Sequence, residues 1–422
     1  IADPAGRELR SLGEESAEPG ANLVLSIDLL MQRATAAALA EGIENGIKFA
    51  LDVETRHDGP LEKTGAAILM DVHSGELLAL VSYPSYNVNI FSGQLDEIAL
   101  SELLTDEARP LIHRAFMEVR APGSIFKPFV GAAALQEGIA TPATRITSTG
   151  AITVQSQYDP NVNYTFKDWA AHGSLDFYGG LSRSSDVYYY YLSGGYFHDG
   201  EQLFEGLGAN RIADYVRSFG LGSLSGLDLP GETSGLVPDT EWKADSIGEP
   251  WVLGDTYTFG IGQGYLTVTP IQMAVATAAL VNGGVVLKPH VVRGLQDDDT
   301  TTRLQREILS EIPIKDEHLE IVREALRIAA DPGGTALRGE PAGVQIGGKT
   351  GTAEFGRVHP DGEFDTHGWF LGFAPYNDPQ VAVVVYLNHG VGATHAAPVA
   401  RRILEAYFER DGDELSVERL LP

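Results

Sequence analysis

The chain has 422 residues, 43% apolar and 21% charged, with 58 acidic against 30 basic side chains for a formal charge of -28. This composition supports a folded core rather than a disordered chain, and the acidic excess, with eight lysines scattered singly, excludes a nucleic-acid-binding surface and a polybasic membrane patch. The absence of cysteine excludes disulfides, thiol catalysis and Cys-ligated zinc, which fits an exported protein.

Residues 1–22 are polar and rich in Gly, Pro and Glu, an extended lead-in, and "NLVLSID" after them has the pattern of a strand. "LLMQRATAAALAEGI" carries helical periodicity, and "GAAILMDVHSGELLALVSYP" at 65–84 reads as a hairpin closed across "HSGE". The long middle has helical stretches in "KPFVGAAALQEG", "TPIQMAVATAALVNGG" and "DEHLEIVREALRIAA", with "DDDTTTR" (297–303) as a polar surface loop. "HGWFLGFAP" and "QVAVVVYLNHG" predict two late strands, and "PVARRILEAYFER" a closing amphipathic helix. Strands early, helices in the middle and strands late imply an α+β fold whose sheet draws on both ends of the chain. No run of about 18 apolar residues marks a membrane span. No signal peptide opens the chain, which begins at Ile1, and we expect a fragment of a longer protein.

"GVQIGGKT", Gly343 to Thr350, fits the phosphate-binding pattern G-x-x-x-x-G-K-[ST]. Such a loop binds phosphate because its glycine-rich amides and the N-terminus of the next helix point at the anion. Here "GTAEFGRVHPDGEFDTHGWF" follows, with Gly351, Gly356 and Pro360-Asp361-Gly362 against a helix. "KTGTAEFG" alternates as a strand does, so nucleotide hydrolysis is rejected. "APGSIFKPF" places Ser124 and Lys127 three apart, on one face of a helix start where Pro128 is tolerated. An unprotonated lysine there can take the proton of an attacking serine; burial or a neighbouring cation would free it of its own proton, and Lys349 across a cleft would be that cation. "SRSSDVYYYYL" sets Ser184 two residues before Asp186, facing a site from a loop or merely capping a helix, with Tyr188 to Tyr191 as a packing face. The order S-x-x-K, S-x-[ND], K-[ST]-G is the signature shared by penicillin-binding proteins and serine β-lactamases. A second "KTG" at Lys63 precedes S-x-x-K and is a polar lead into the first strand.

"APGSIFKPF", "SSDVYYY", "LPGETSGLVPD", "GIGQGYLTVTPIQMA", "GGKTGTAEF" and "HGWFLGFAPYNDPQVAVVV" together resemble the class B penicillin-binding proteins, from about residue 20 to residue 409. "FKDWAAHG" and the Asp of "SSD" look most like the elongation-type branch, penicillin-binding protein 2, a peptidoglycan D,D-transpeptidase. The resemblance implies the penicillin-binding protein/serine β-lactamase-like transpeptidase fold, an antiparallel sheet flanked by helices plus a helical subdomain. It divides the chain into a remnant of a non-catalytic pedestal and linking helix over 1–60 and a transpeptidase domain over 61–422.

The resemblance also implies roles. Ser124 attacks the penultimate D-alanine of a stem pentapeptide, and a neighbouring stem peptide's amine resolves the acyl-enzyme. Lys127 is the general base, Ser184 relays the proton, and Asp186 orients both. Lys349, Thr350 and Thr352 bind the substrate carboxylate, and Gly351 of the Lys349-Thr350-Gly351 motif belongs to the same substrate-binding strand edge. The amides of Ser124 and Thr352 form the oxyanion hole. Partners implied are peptidoglycan stem peptides, β-lactams that acylate Ser124, and a membrane glycosyltransferase of the full-length protein. The place of action is outside the cytoplasm, beyond an N-terminal anchor that this chain does not contain. Rival readings on the same fold are a penicillin-sensing receptor domain and a D,D-carboxypeptidase or β-lactamase. The loop with a deacylating Glu expected of class A β-lactamases is not evident after the second motif.

Two departures stand out. Asp186 replaces the superfamily's commoner Asn and adds a charge that raises a lysine's pKa. Some relatives carry zinc near the second motif with a cysteine among its ligands; here Asp159, Asp168 and His172 offer only a partial set, with Asp168 and His172 four apart on a helix face as a surface pair. We expect no metal and no cofactor. His367 and His395 are expected to be strand-edge and loop residues rather than bases, and Tyr265 and Trp369 core aromatics rather than cleft walls.

Overall fold

One antiparallel sheet gathers the two ends of the sequence. Its strands are β1 (Gly65–Asp71), β2 (Leu77–Tyr83), β3 (Gly347–Phe355), β4 (Asp365–Ala374) and β5 (Val381–Leu387), in the spatial order β3-β4-β5-β1-β2. The computed structural model describes residues 20–409 apart from 52–60, 93–95, 156–158, 160, 199–200, 298–299 and 361. The lead-in as far as residue 19 lies outside the described residues.

Both faces of the sheet are covered, which is why β5 reads as an unbroken apolar run instead of an alternation. Val381, Val383, Val385 and Leu387 enter one apolar cluster, and Ala382, Val384 and Tyr386 enter the other. Each fully buried valine or leucine contributes about 1.5–3 kcal/mol of transfer free energy, so a one-residue slip of β5 would exchange the faces of the whole set. The first face meets α1 (Leu29–Leu51) and the closing helix Ala397–Phe408. The second meets the helical body, which includes α2 (Lys127–Gln136), α3 (Asp186–Gly194) and α4 (Pro270–Val281). All twelve residues of α4 are buried. Its start is fixed by Pro270 and a reciprocal capping box, with Thr269 N–H donating to Gln272 Oε1 at 3.0 Å and Gln272 N–H to Thr269 Oγ1 at 3.4 Å.

The expected early strand is Asn22–Leu25. It pairs with Val292–Asp297, which pairs in turn with Thr300–Arg303. Asp297 and Thr300–Arg303, expected in a plain surface loop, are therefore strand residues. All four residues of Thr300–Arg303 are exposed, so no apolar alternation announces the strand, and only backbone pairing and the β-branched threonines define it. This ribbon is tied to the sheet through the buried Glu76, which accepts from Arg293 and Arg303, both at 2.7 Å.

Helix α1 approaches its neighbours through Gly42 and Gly46, where a Cβ would overlap the Val399 side chain and the His389 carbonyl oxygen. A valine can rotate away; a backbone carbonyl cannot. Alanine at Gly46 would gain about 1 kcal/mol in helix propensity but incur an overpacking cost of about 1–3 kcal/mol or more. We predict a lower thermal midpoint for Gly46→Ala, with calorimetry as the measurement, and an unchanged or raised midpoint as the contrary result.

Candidate active site

The residues "PGSIF" cannot begin as a regular α-helix, because Gly123 has φ +57°. A 3-10 turn, Gly123–Phe126, carries Ser124 and hands over to α2 at Lys127. Three close backbone approaches hold that turn. Gly123 N–H donates to Gly262 O at 2.8 Å, and a Cβ on Gly262, at φ +81°, would overlap the Gly123 carbonyl. A Cβ on Gly351 would lie 2.9 Å from Pro122 O and 3.2 Å from Ile125 N. The third motif's glycine thus lets strand β3 lie directly against the serine turn.

The second motif is both things the sequence allowed: Ser185 caps α3 by accepting from Tyr188 N–H, and Ser184 faces the cleft. Ser184 has φ +58°, left-handed for a residue with a side chain, a strain of order 1 kcal/mol or more that persists only where the surroundings impose it. Tyr188, Tyr189 and Tyr190 are buried as a packing face. Asp186 is the first residue of α3.

Lys127 and Lys349 are fully buried. Lys127 Nζ donates to Asp186 Oδ1 at 2.6 Å, to Ser184 O at 2.8 Å and to Ser184 Oγ at 3.3 Å. Lys349 Nζ donates to Ser184 Oγ at 2.7 Å and to Thr350 O at 2.7 Å. One hydroxyl is therefore shared by two amines from opposite walls, and Asp186 is the only carboxylate hydrogen-bonded to either among the described residues. Burial and then the Lys127 ammonium push the Lys349 amine well below its usual range, with Asp186 acting against them. The neighbouring-cation effect expected from Lys349 is present in the pair, acting from Lys127 on Lys349. Lys349 sits behind the cleft wall, whereas Ser124, Ser184, Asp186, Thr350 and Thr352 line a cleft of about 640 Å³. Thr352 Oγ1 accepts from Gly392 N–H at 3.2 Å, which leaves its own proton to donate.

His367 lies inside strand β4 instead of at an edge, stacked on Phe355 at 3.9 Å, its Nδ1–H donating to Asn388 O at 2.7 Å. Burial holds it neutral, pushed down to about 3. His395 Nδ1 accepts from Val391 N–H at 3.0 Å, and neither histidine contacts the lysine cluster. Trp369 is a core residue whose Nε1–H donates to Ala121 O at 3.1 Å. The aromatic lining the cleft is the exposed Trp169, and Thr335, Leu337 and Arg338 line it as well. Sequence reasoning gave these four no role, since no spacing rule ties them to the three motifs. Asp168 and His172 are not on a helix, and their side chains are buried, at 0% and 4% exposure, so they are no surface pair.

Residues 65–405 match the penicillin binding protein transpeptidase domain family, and the chain belongs to it. The chain is 32% identical over 427 residues to the peptidoglycan D,D-transpeptidase MrdA of Haemophilus influenzae, covering 96% of this chain and 59% of that protein. It is thus similar to about three fifths of such a relative's length. Among solved structures it resembles Pseudomonas aeruginosa PBP2 in complex with WCK 5153, at 30% identity and TM-score 0.76, over 96% of this chain and 80% of that one. It also resembles a chain of a peptidoglycan synthase complex studied for the coordination of polymerization and crosslinking, at 30% identity and TM-score 0.78, over 98% and 67% of the two chains. The likeness to penicillin-binding protein 2 and the α+β transpeptidase fold are both as expected.

The glycine contacts under Ser124 make a prediction. Gly262→Ala should reduce labelling by a fluorescent penicillin about 10²-fold, the scale of a 1 Å misplacement of a reacting group. Gly138→Ala, also at positive φ (+70°) but with open space around it, should keep its labelling rate. Equal labelling of the two variants would contradict the packing argument.

Proposed function

We propose that the chain is the acyl-transfer part of an elongation-type peptidoglycan D,D-transpeptidase, with Ser124 as nucleophile. The observation that carries this reading is the Ser184 hydroxyl held between Lys127 and Lys349 in the cleft that Ser124 lines. A depressed Lys349 amine accepts a proton from Ser184 Oγ as Ser184 takes one from Lys127. That leaves Lys127 unprotonated, the state in which it can receive the Ser124 proton. Ser124 Oγ then bonds to the penultimate D-alanine carbonyl carbon, and the proton returns through the same chain to the departing D-alanine nitrogen. The acceptor amine attacks the ester, losing a proton to the site as Ser124 Oγ regains one. The Ser124 and Thr352 amides would hold the oxyanion, a donor pair of which each member is typically worth about 10²–10³ in rate. Thr350 and Thr352 would meet the terminal carboxylate. Lys349, being buried, would act on it through the Thr350 wall.

Relatives named as D,D-transpeptidases support cross-linking over hydrolysis. The resemblance to a chain of a peptidoglycan synthase complex supports a membrane glycan polymerase as partner. We place the site outside the cytoplasm; among the described residues no helix is long and apolar enough to cross a membrane. The family match over 65–405 supports reading 61–422 as the catalytic domain and 1–60 as the end of a non-catalytic segment.

Two outcomes test the proposal. With pentapeptide-bearing glycan, the protein in membranes with its polymerase should release D-alanine and form cross-linked dimers, and Ser124→Ala should do neither. D-Alanine release without dimers would show a carboxypeptidase instead. Acylation should rise with pH as Lys349 loses its own proton and becomes able to accept one from Ser184. Because Asp186 opposes that loss, Asp186→Asn should move the rising limb to lower pH and reduce the plateau. A limb moved to higher pH would refute the charge assignment.

A further inference from the structure

Asp168 stands outside the three motifs, yet its carboxylate is fully covered and accepts from five donors. Oδ2 receives Ser185 Oγ–H at 2.6 Å, Ser148 Oγ–H at 2.9 Å and Val187 N–H at 3.2 Å. Oδ1 receives Trp169 N–H at 2.9 Å and Asp186 N–H at 3.0 Å. Three of the five donors belong to the second motif and the first residues of α3, so the carboxylate holds that segment. Lys127 holds the same segment through Ser184 O and Asp186 Oδ1. The strained Ser184, at φ +58°, belongs to that segment.

The zinc found near this motif in some relatives does not fit these residues. Zinc needs three or four ligands whose lone pairs point at it, and a carboxylate has about four acceptor positions, which five N–H and O–H donors here already fill. Asp159 turns its Oδ1 to Asn161 N–H at 2.9 Å in its own turn, and no group of three metal-ligating side chains occurs among the described residues. Asp168 with His172, whose Nε2 is 3.5 Å away, is a pair and not a site.

We propose that Asp168 is a positioning residue for the acyl transfer: its carboxylate, with no metal ion, holds Ser185 and Asp186 so that Ser184 keeps the left-handed backbone that aims its hydroxyl at both lysines. This rests on the acyl-transfer reading above. Burial raises the Asp168 pKa, but the hydrogen bonds from Ser185, Asp186 N–H and Ser148 outweigh it and leave the carboxyl below its usual range, so the anion is the form that grips. Without it, Ser184 relaxes out of its strained backbone well and the bridge between Lys127 and Lys349 opens.

The test is stopped-flow acylation by a fluorescent penicillin, separating the pre-covalent binding constant from the first-order acylation constant, with thermal midpoints recorded alongside. Asp168→Ala should lose about 10- to 100-fold in the acylation constant. Asp168→Asn, which keeps one accepting oxygen, should lose less, and both should bind penicillin within about threefold of wild type. Wild type treated with EDTA should acylate at its original rate. An acylation constant within about threefold of wild type in folded Asp168→Asn and Asp168→Ala overturns the proposal. So does a loss on chelation that zinc restores, since a metal would then hold the turn. If Asp168→Ala does not fold, Asp168→Asn alone decides by the same threshold. Wild type that never acylates sinks the acyl-transfer reading itself, and this inference with it.

Discussion

Two buried amines and one carboxylate on the cleft wall, gathered around a single serine hydroxyl, are the constraint from which the rest of this structure can be understood. A buried ammonium without a partner is so costly that it gives up its proton instead. Asp186 is hydrogen-bonded to Lys127, and among the described residues Lys349 bonds to Ser184 Oγ and a carbonyl oxygen. The cluster therefore favours one ammonium–carboxylate pair and one amine poised to accept. The same arrangement would be dispersed if any of the three contributing segments moved by an ångström. The neighbouring architecture accordingly allows them little freedom.

Backbone contact in place of side-chain packing supplies that rigidity. Gly123, Gly262 and Gly351 bring the serine turn, the loop after Leu253–Gly260 and strand β3 closer together than any side chain would permit. Behind them the turn leads into α2, buried from Lys127 to Leu135, and β3 pairs along nine residues with β4. On the far wall Lys127 holds the left-handed Ser184 through its carbonyl oxygen, and the Asp168 carboxylate holds the residues that follow it, Ser185 and Asp186. Strain at Ser184 and close glycine packing at Ser124 are thus two solutions to one problem, the placing of polar atoms in a dry wall at fixed separation.

Much of this was legible from residues alone. The closing helix shows its helical period, whereas β5 and α4, buried on every side, are legible as apolar runs told apart by their length and by the Thr-Pro start of α4. The motif order joins Ser124, Ser184 and Lys349 because S-x-x-K, S-x-D and K-T-G each fix a local backbone form, and the alternation of "KTGTAEFG" settles strand against phosphate loop. What remained hidden has a common cause. Thr300–Arg303 pairs through its backbone with every side chain exposed, so no apolar pattern records it. Asp168 looked like half of a surface pair because four of its five donors lie on other segments, from Ser148 to Val187. The direction of the charge effect between Lys127 and Lys349 depends on which amine the carboxylate reaches, and spacing along the chain cannot show that. Trp169, Leu337 and Arg338 become cleft residues only once the sheet and the helical body are docked.

The account stands or falls on whether these segments make one acyl-transfer site. The most direct measurement is incubation with benzylpenicillin followed by intact-mass and peptide mapping. The account predicts one stable penicilloyl group per chain, located on Ser124, and none on Ser124→Ala. A folded protein that takes up no penicilloyl group, or takes it on another residue, would contradict it.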